Sequence, residues 1–228
     1  MKKLSIIVPV FNEEKTIGEI LTHVVSMPMS GWTKEVIVID DGSTDGTRTI
    51  LTKWEKKVHV IYKDRNEGKG SAVTIGFRRA TGDIVLIQDA DLEYSPQDYP
   101  TLLAPFDNQH VNVVYGSRFI GPHLSTMFVY AQGNKFVTFM TNILFNSNIT
   151  DMETGYKVFR KEVLKVMTLK AKRFDMEPEI TAKVLKEGYQ IYEVPISYFG
   201  RKFSEGKKLT WRDGVVALLT LIKYRFID

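Results

Sequence analysis

Four short runs rich in Ile, Val and Leu, each closing on a polar cluster, constrain this chain most: Leu4–Val10, Val36–Ile39, Val58–Tyr62 and Ile84–Ile87. A strand with one solvated face alternates apolar and polar residues. A near-continuous apolar run fits a strand covered on both faces of a parallel sheet. Between the runs, Ile17, Ile20, Leu21 and Val24 recur at helical spacing, then Ile50, Leu51 and Trp54, then Ala72, Val73, Gly76, Phe77 and Ala80. Four strands alternating with three helices predict right-handed βαβ units and an α/β fold with a mostly parallel, doubly wound sheet. Ligands of such sheets bind beyond the carboxyl ends of the strands.

Three polar clusters fall at those ends: Phe11–Glu14, Asp40–Asp45 and Asp89–Asp91. Side chains two apart on a strand point the same way, so Asp89 and Asp91 leave the sheet together. Paired carboxylates with no base between them attract a cation, and oxygen ligands suit Mg²⁺ or Mn²⁺. The plainer alternative is a solvated turn. Asp40 and Asp41 are adjacent acids that need a partner, which makes Asp40 a candidate ligand contact. Asp45 reads as the N-cap of a helix over 47–54, and Asn12 as the N-cap of a helix ending before Pro28. Gly68-Lys69-Gly70 lacks the spacing of a phosphate-binding P-loop and reads as backbone shaping near a ligand.

After Asp91 the alternation breaks. A helix is expected from Ser95 towards Phe106, a strand at Asn112–Gly116, irregular chain over 119–135, and an apolar helical stripe at Phe136, Phe139, Met140, Ile143 and Leu144. A short helix near 161–167, a helix over 177–186, a strand over 190–194 and a final helix over 211–226 complete the pattern. The expectation is a single domain over 1–228, with a ligand-binding half at 1–110 and a second-substrate half at 111–228. With no cysteine, disulfides and Cys-based metal sites are excluded. The four histidines show no ligand spacing, and a net charge of +4 without a basic stripe argues against nucleic acid. No apolar run nears the ~20 residues of a spanning helix. The start of the chain does not read as a signal peptide, so a cytoplasmic location is expected.

The motifs Val8-Pro9-x-Phe11-Asn12-Glu13, Asp40-Asp41-Gly42-Ser43-x-Asp45, Asn66-x-Gly68-Lys69-Gly70, Asp89-Ala90-Asp91, Gly116-Ser117-Arg118 and Asp151-Met152-Glu153-Thr154-Gly155-Tyr156 occur in this order. Together they make the chain resemble the family 2 glycosyltransferases of the GT-A fold, within them the dolichyl-phosphate mannose synthase group. The resemblance runs from Leu4 to about Phe226. It implies inverting, metal-dependent transfer of a sugar from a nucleotide-diphosphate sugar, of GDP-mannose or UDP-glucose type, to a polyprenyl or dolichyl phosphate. By that resemblance Pro9, Phe11, Glu13, Asp40, Asp41, Lys69 and Ala90 belong to the donor site, and Asp89, Asp91 and Glu93 to Mg²⁺ or Mn²⁺. Arg118, Arg201 and Lys208 would meet phosphates. Glu93 stands where close relatives often carry Gln. The membrane helices of many members are absent, and Lys135 is the nearest cation to an acceptor-side arginine.

A sugar-hydroxyl acceptor would need a general base, for which Asp151 or Glu153 stands in the second half; a phosphate acceptor needs none. Hydroxyl transfer in polysaccharide synthesis and a non-catalytic sugar-nucleotide-binding module are the alternatives. A nucleotidyltransferase would have glycines where Pro9–Glu13 stand, and a receiver-type domain would leave 110–228 unexplained. Trp211, Val215, Leu218, Leu219, Ile222 and Phe226 fall on one helical face beside seven basic residues between 200 and 226. That helix either packs on the sheet or lies on an anionic membrane surface, with a membrane-anchoring partner protein as a further route.

Overall fold

The computed structural model describes residues 2–121, 128–173, 175–200 and 211–227. Arg201, Lys208, His123 and the side chain of Trp211 lie outside the described residues. The first half forms β1 (Lys2–Val10), α1 (Ile17–Ser26), β2 (Trp32–Asp40), α2 (Thr47–Leu51), β3 (His59–Tyr62), α3 (Lys69–Arg79) and β4 (Ile84–Ile87). The second half forms α4 (Tyr99–Leu103), β5 (Val113–Ser117), α5 (Phe128–Phe145), β6 (Lys157–Arg160), α6 (Lys161–Val166), α7 (Met176–Lys186), β7 (Ile191–Pro195) and α8 (Trp211–Phe226).

The seven strands make one α/β sheet in the order β3-β2-β1-β4-β6-β5-β7. All pairs are parallel except those of β6, which runs antiparallel to both β4 and β5. The expected doubly wound pattern is therefore met, and strands from the second half extend the same sheet. Alternation along β1 explains the two covered faces. Leu4, Ile6, Val8 and Val10 bury against Ile17, Ile20, Leu21 and Val24 of α1. Ile7 buries on the other face with Ile37, Ile39, Ala72 and Val85 beneath α3. The chain reverses from β3 to β4 across β1, and the polar clusters open at that crossing, as strand-end geometry predicts.

Local expectations are corrected at several points. α1 begins at Ile17, not at Asn12. Asn12 instead adopts φ 54°, and its Oδ1 accepts from the Thr44 amide at 2.8 Å, lacing the exits of β1 and β2 together. Asp45 does accept from the Thr47 amide at 3.0 Å, but α2 stops at Leu51 and turns carry the chain on to Trp54. The helix expected over 95–106 is broken into short turns around α4. α5 already runs from Phe128, through chain expected to be irregular, and β6 was not expected at all.

The expected apolar stripe on α5 faces largely outward. Val137, Thr138 and Thr141 are buried, whereas Phe136, Phe139 and Ile143 are each more than half exposed. α8 repeats this. Ala217, Leu221 and Tyr224 pack with Val137 and Ile149, while Val215, Leu219, Ile222 and Phe226 are exposed. The reading in which the α8 stripe packs on the sheet is thereby set aside.

Candidate active site

The site grows from the end of β4. Gln88 is fully buried, and its Oε1 accepts from the hydroxyls of Tyr99 at 2.8 Å and Tyr156 at 2.7 Å. Its Nε2 donates to the carbonyl of Asp89 at 3.0 Å. A buried amide satisfied in this way fixes the direction in which the chain leaves the sheet. Leu92 follows with φ 63°, a strained value for a bulky residue of the kind that gathers at functional sites. Across from this corner, a side chain at Gly155 would collide with the Asp89 carboxylate. Glycine at 155 thus leaves the Asp89 carboxylate in its place where the β6 approach meets the acids.

A cavity of about 480 Å³ opens over this corner. Pro9, Phe11, Glu13, Asp41, Lys69, Asp89, Ala90, Asp91, Glu93 and Arg118 line it, which brings together ten of the residues singled out in the sequence. Asp40 and Asp151 are not among the lining residues. Tyr94, Tyr198, Glu177 and Arg173 line it without having been expected there.

One wall is organised by Asp41, whose carboxylate accepts from the amides of Glu67 at 3.1 Å and Gly68 at 2.6 Å and pairs with Lys63. This holds the Asn66–Lys69 loop against β2. Gly42 makes the turn possible: its φ is 76°, and a Cβ there would strike the backbone of Arg65. Asp40 faces away. It is fully buried, accepts from Arg48 Nε at 2.6 Å and from the Ser43 amide, and so has its partner inside the protein. Arg48 supplies the partner whose absence was the spacing argument for a ligand at Asp40, while the resemblance to a family nucleotide contact is a separate ground. Asp40→Ala should therefore lower stability by roughly 1.5–3 kcal/mol, the scale of a buried charge-assisted bond. Urea denaturation checks this. A destabilisation within error of zero, with donor affinity lost, would restore Asp40 to the ligand.

Arg118 enters from the end of β5. Its Nε and Nη2 donate to Asp151 at 2.7 Å each, its amide donates to the same carboxylate at 3.0 Å, and Asn134 adds a fourth bond at 3.1 Å. The guanidinium lies 5.1 Å from the centre of the Tyr198 ring. Burial alone would lower the Arg118 pKa, but the Asp151 charge more than offsets it and holds the guanidinium charged. Asp151 was a candidate general base. With no exposure and four donors on it, it positions Arg118 instead.

Lys69 bridges the acids, bonding Asp89 Oδ1 at 2.8 Å and Glu177 Oε1 at 2.9 Å. Burial disfavours its charge, yet Asp89 and Glu177 together raise its pKa well above the ordinary value. Glu153 is pushed upward by burial and by the neighbouring Glu177 charge. Lys157 is pushed downward by burial; its ammonium donates to the carbonyls of Met152, at 2.9 Å, and Thr154. Glu177 was missed because acids in a first helical turn usually face solvent and complement the dipole.

Asp89, Asp91 and Glu93 do not form a closed three-ligand cage. Asp89 is held by Lys69, and Glu93 Oε2 accepts from the Tyr198 hydroxyl at 2.9 Å. Among the described residues no group of three His, Cys, Asp or Glu side chains is arranged to hold a metal by itself. The donor set still fits Mg²⁺ or Mn²⁺, which are commonly bound by one or two carboxylates and completed by substrate phosphates. Asp91 at the cavity wall, with Asp89 and Glu93 flanking it, supplies that kind of half-site.

The chain is 29% identical over 225 residues to UDP-N-acetylglucosamine–dolichyl-phosphate N-acetylglucosaminyltransferase of Methanococcus voltae, covering 89% of this chain and 88% of that protein. It is 29% identical over 212 residues to dolichol-phosphate mannosyltransferase of Pyrococcus furiosus, covering 90% of this chain and 59% of that protein. Its fold matches the crystal structure of glucosyl-3-phosphoglycerate synthase from Mycobacterium tuberculosis with Mn²⁺, UDP and phosphoglyceric acid, at a TM-score of 0.77 and 20% identity, covering all of this chain and 80% of that one. The family profile of Glycosyl transferase family 2 matches residues 5–168, and the chain belongs to that family of glycosyltransferases.

Proposed function

We propose that this glycosyltransferase moves a sugar, with inversion, from a nucleotide-diphosphate sugar to a polyprenyl phosphate at a membrane surface. The observation that carries the acceptor half is the placement of Asp151. An acceptor hydroxyl needs a base to take its proton; of the two candidate carboxylates, Asp151 is consumed by Arg118, and Glu153 is buried beside the Glu177 charge. A phosphate acceptor is already anionic and attacks without one. The names of the Methanococcus and Pyrococcus relatives, both dolichyl-phosphate transferases, support the same reading.

On this reading the wall of Pro9, Phe11 and Asp41 receives the nucleoside, and the diphosphate lies over Asp89–Asp91. Departure of the nucleoside diphosphate concentrates negative charge on its oxygens. Arg118, clamped by Asp151, offers a preoriented charge to those oxygens without reorganisation. A bound Mg²⁺ or Mn²⁺ would add Lewis-acid stabilisation at Asp91. The structural neighbour's complex with Mn²⁺ and UDP is consistent with such a donor.

The exposed apolar faces of α5 and α8 fit a lipid-borne acceptor. Phe139 is 58% exposed and Leu219 60%, with Lys135, Lys223 and Arg225 exposed nearby. Apolar faces flanked by cations can lie in an anionic membrane interface. Among the described residues no helix is long and apolar enough to cross a membrane. The test supplies labelled sugar nucleotide and polyprenyl phosphate in anionic vesicles. Label should enter the organic-extractable lipid, and Phe139→Glu with Leu219→Glu should reduce that rate at least about tenfold, as expected for losing interfacial burial. Label passing only to water-soluble saccharides would overturn the lipid acceptor.

A further inference from the structure

We propose that Glu153 and Glu177 form the subsite for the donor's glycosyl group and select a neutral, polyhydroxylated sugar over a uronic acid. The inference rests on the donor reading above and deepens it. Two buried carboxylate oxygens, Glu177 Oε2 and Glu153 Oε1, have no hydrogen-bond partner among the described residues. Buried acceptors are nearly always satisfied, so each such oxygen calls for an explanation. Both residues line the cavity, and Glu177 is only 5% exposed.

Their place in the sheet says which part of a donor they meet. The nucleoside wall lies at the ends of β1 and β2, and Asp89–Asp91 stand at the end of β4. Glu153 stands just before β6, the strand next to β4 on the far side from β1. Lys69 reaches from Asp89 to Glu177 and ties this end to the diphosphate position. A sugar attached to a diphosphate over Asp91 extends into this end.

The charges say which sugar. Lys69 is shared between Asp89 and Glu177, and Lys157 bonds backbone carbonyls. Neither cation satisfies the two orphaned oxygens. Burial first, and then the neighbouring Glu177 charge, push Glu153 upward. Sugar hydroxyls are donors and satisfy such oxygens. A uronic carboxylate has no proton to give at neutral pH and brings a further negative charge against them, and like-charge juxtaposition disfavours a wrong ligand.

The test is calorimetric titration in Mn²⁺ with UDP and with GDP, followed by the neutral and uronate sugars of whichever base binds: UDP-glucose against UDP-glucuronate, or GDP-mannose against GDP-mannuronate. The wild-type chain should bind the neutral sugar at least about tenfold more tightly. Glu153→Gln and Glu177→Gln, each confirmed folded by its melting curve, should bring the ratio down to about threefold or less. Equal affinities in the wild type, or an unchanged ratio in both variants, would overturn the subsite while leaving the donor reading intact. Failure of both UDP and GDP to bind would overturn the donor reading, and the subsite with it.

Discussion

Asp91→Asn is expected to lower kcat by 10²–10³ or more while leaving the fold intact, on the scale of one lost transition-state charge stabiliser, several kcal/mol. Asn has nearly the same shape, and its carbonyl oxygen can still accept from the Glu93 amide, which now donates to Asp91 Oδ1 at 3.2 Å. What disappears is a negative charge at the cavity wall. Asp89 cannot take over, because both its oxygens already face Lys69. Glu93 cannot swing in without giving up the Tyr198 hydroxyl. Two measurements check this: single-turnover rates, and Mn²⁺ affinity followed by electron paramagnetic resonance in the presence of nucleoside diphosphate. Both should fall together. Full turnover of the native chain in excess EDTA would remove the metal from the reaction, and the role of Asp91 would then be to hold the β4 exit through the Glu93 amide.

Much of this site was legible because the sheet announces itself. Ile, Val and Leu runs buried on both faces are hard to mistake, and the rule for strand ends then places Pro9, Phe11, Asp41, Asp89 and Asp91 on one rim without any knowledge of side-chain contacts. Illegible parts have specific causes. β6 is four residues long, and its first, Lys157, is a charge buried at 1% exposure, so no apolar run marks it. Periodicity on α5 identified an apolar stripe correctly but says nothing about whether that stripe meets protein or something else. Here Val137, Thr138 and Thr141 make the contact and Phe136 and Phe139 do not. Asp40 and Asp41 look alike in sequence. Strand alternation sends one to Arg48 and the other to the cavity loop, and only the tertiary partner tells which.

Arg118→Ala should cost about 3–5 kcal/mol of stability, the penalty for leaving a buried acid without its countercharge. Asp151 is fully buried, and three of the four bonds described for it come from Arg118. The amide bond survives the substitution, as does the one from Asn134, but the charge does not. Asp151→Ala should cost a comparable amount for the converse reason, since the guanidinium then lies under Tyr198 with its fork empty. The pair Arg118→Met with Asp151→Leu removes both charges together, and replacing a buried ion pair by apolar groups is often close to neutral. Its stability should recover most of the loss, giving a large favourable coupling in a double-mutant cycle read by urea denaturation. Turnover should not recover, because the preoriented cation facing the cavity is gone. That contrast separates the two roles the pair plays. If the double variant regained both stability and turnover, Arg118 would be scaffold alone, and the charge that meets the departing diphosphate would have to come from another cation lining the cavity, of which Arg173 is, among the described residues, the one besides Lys69 and Arg118.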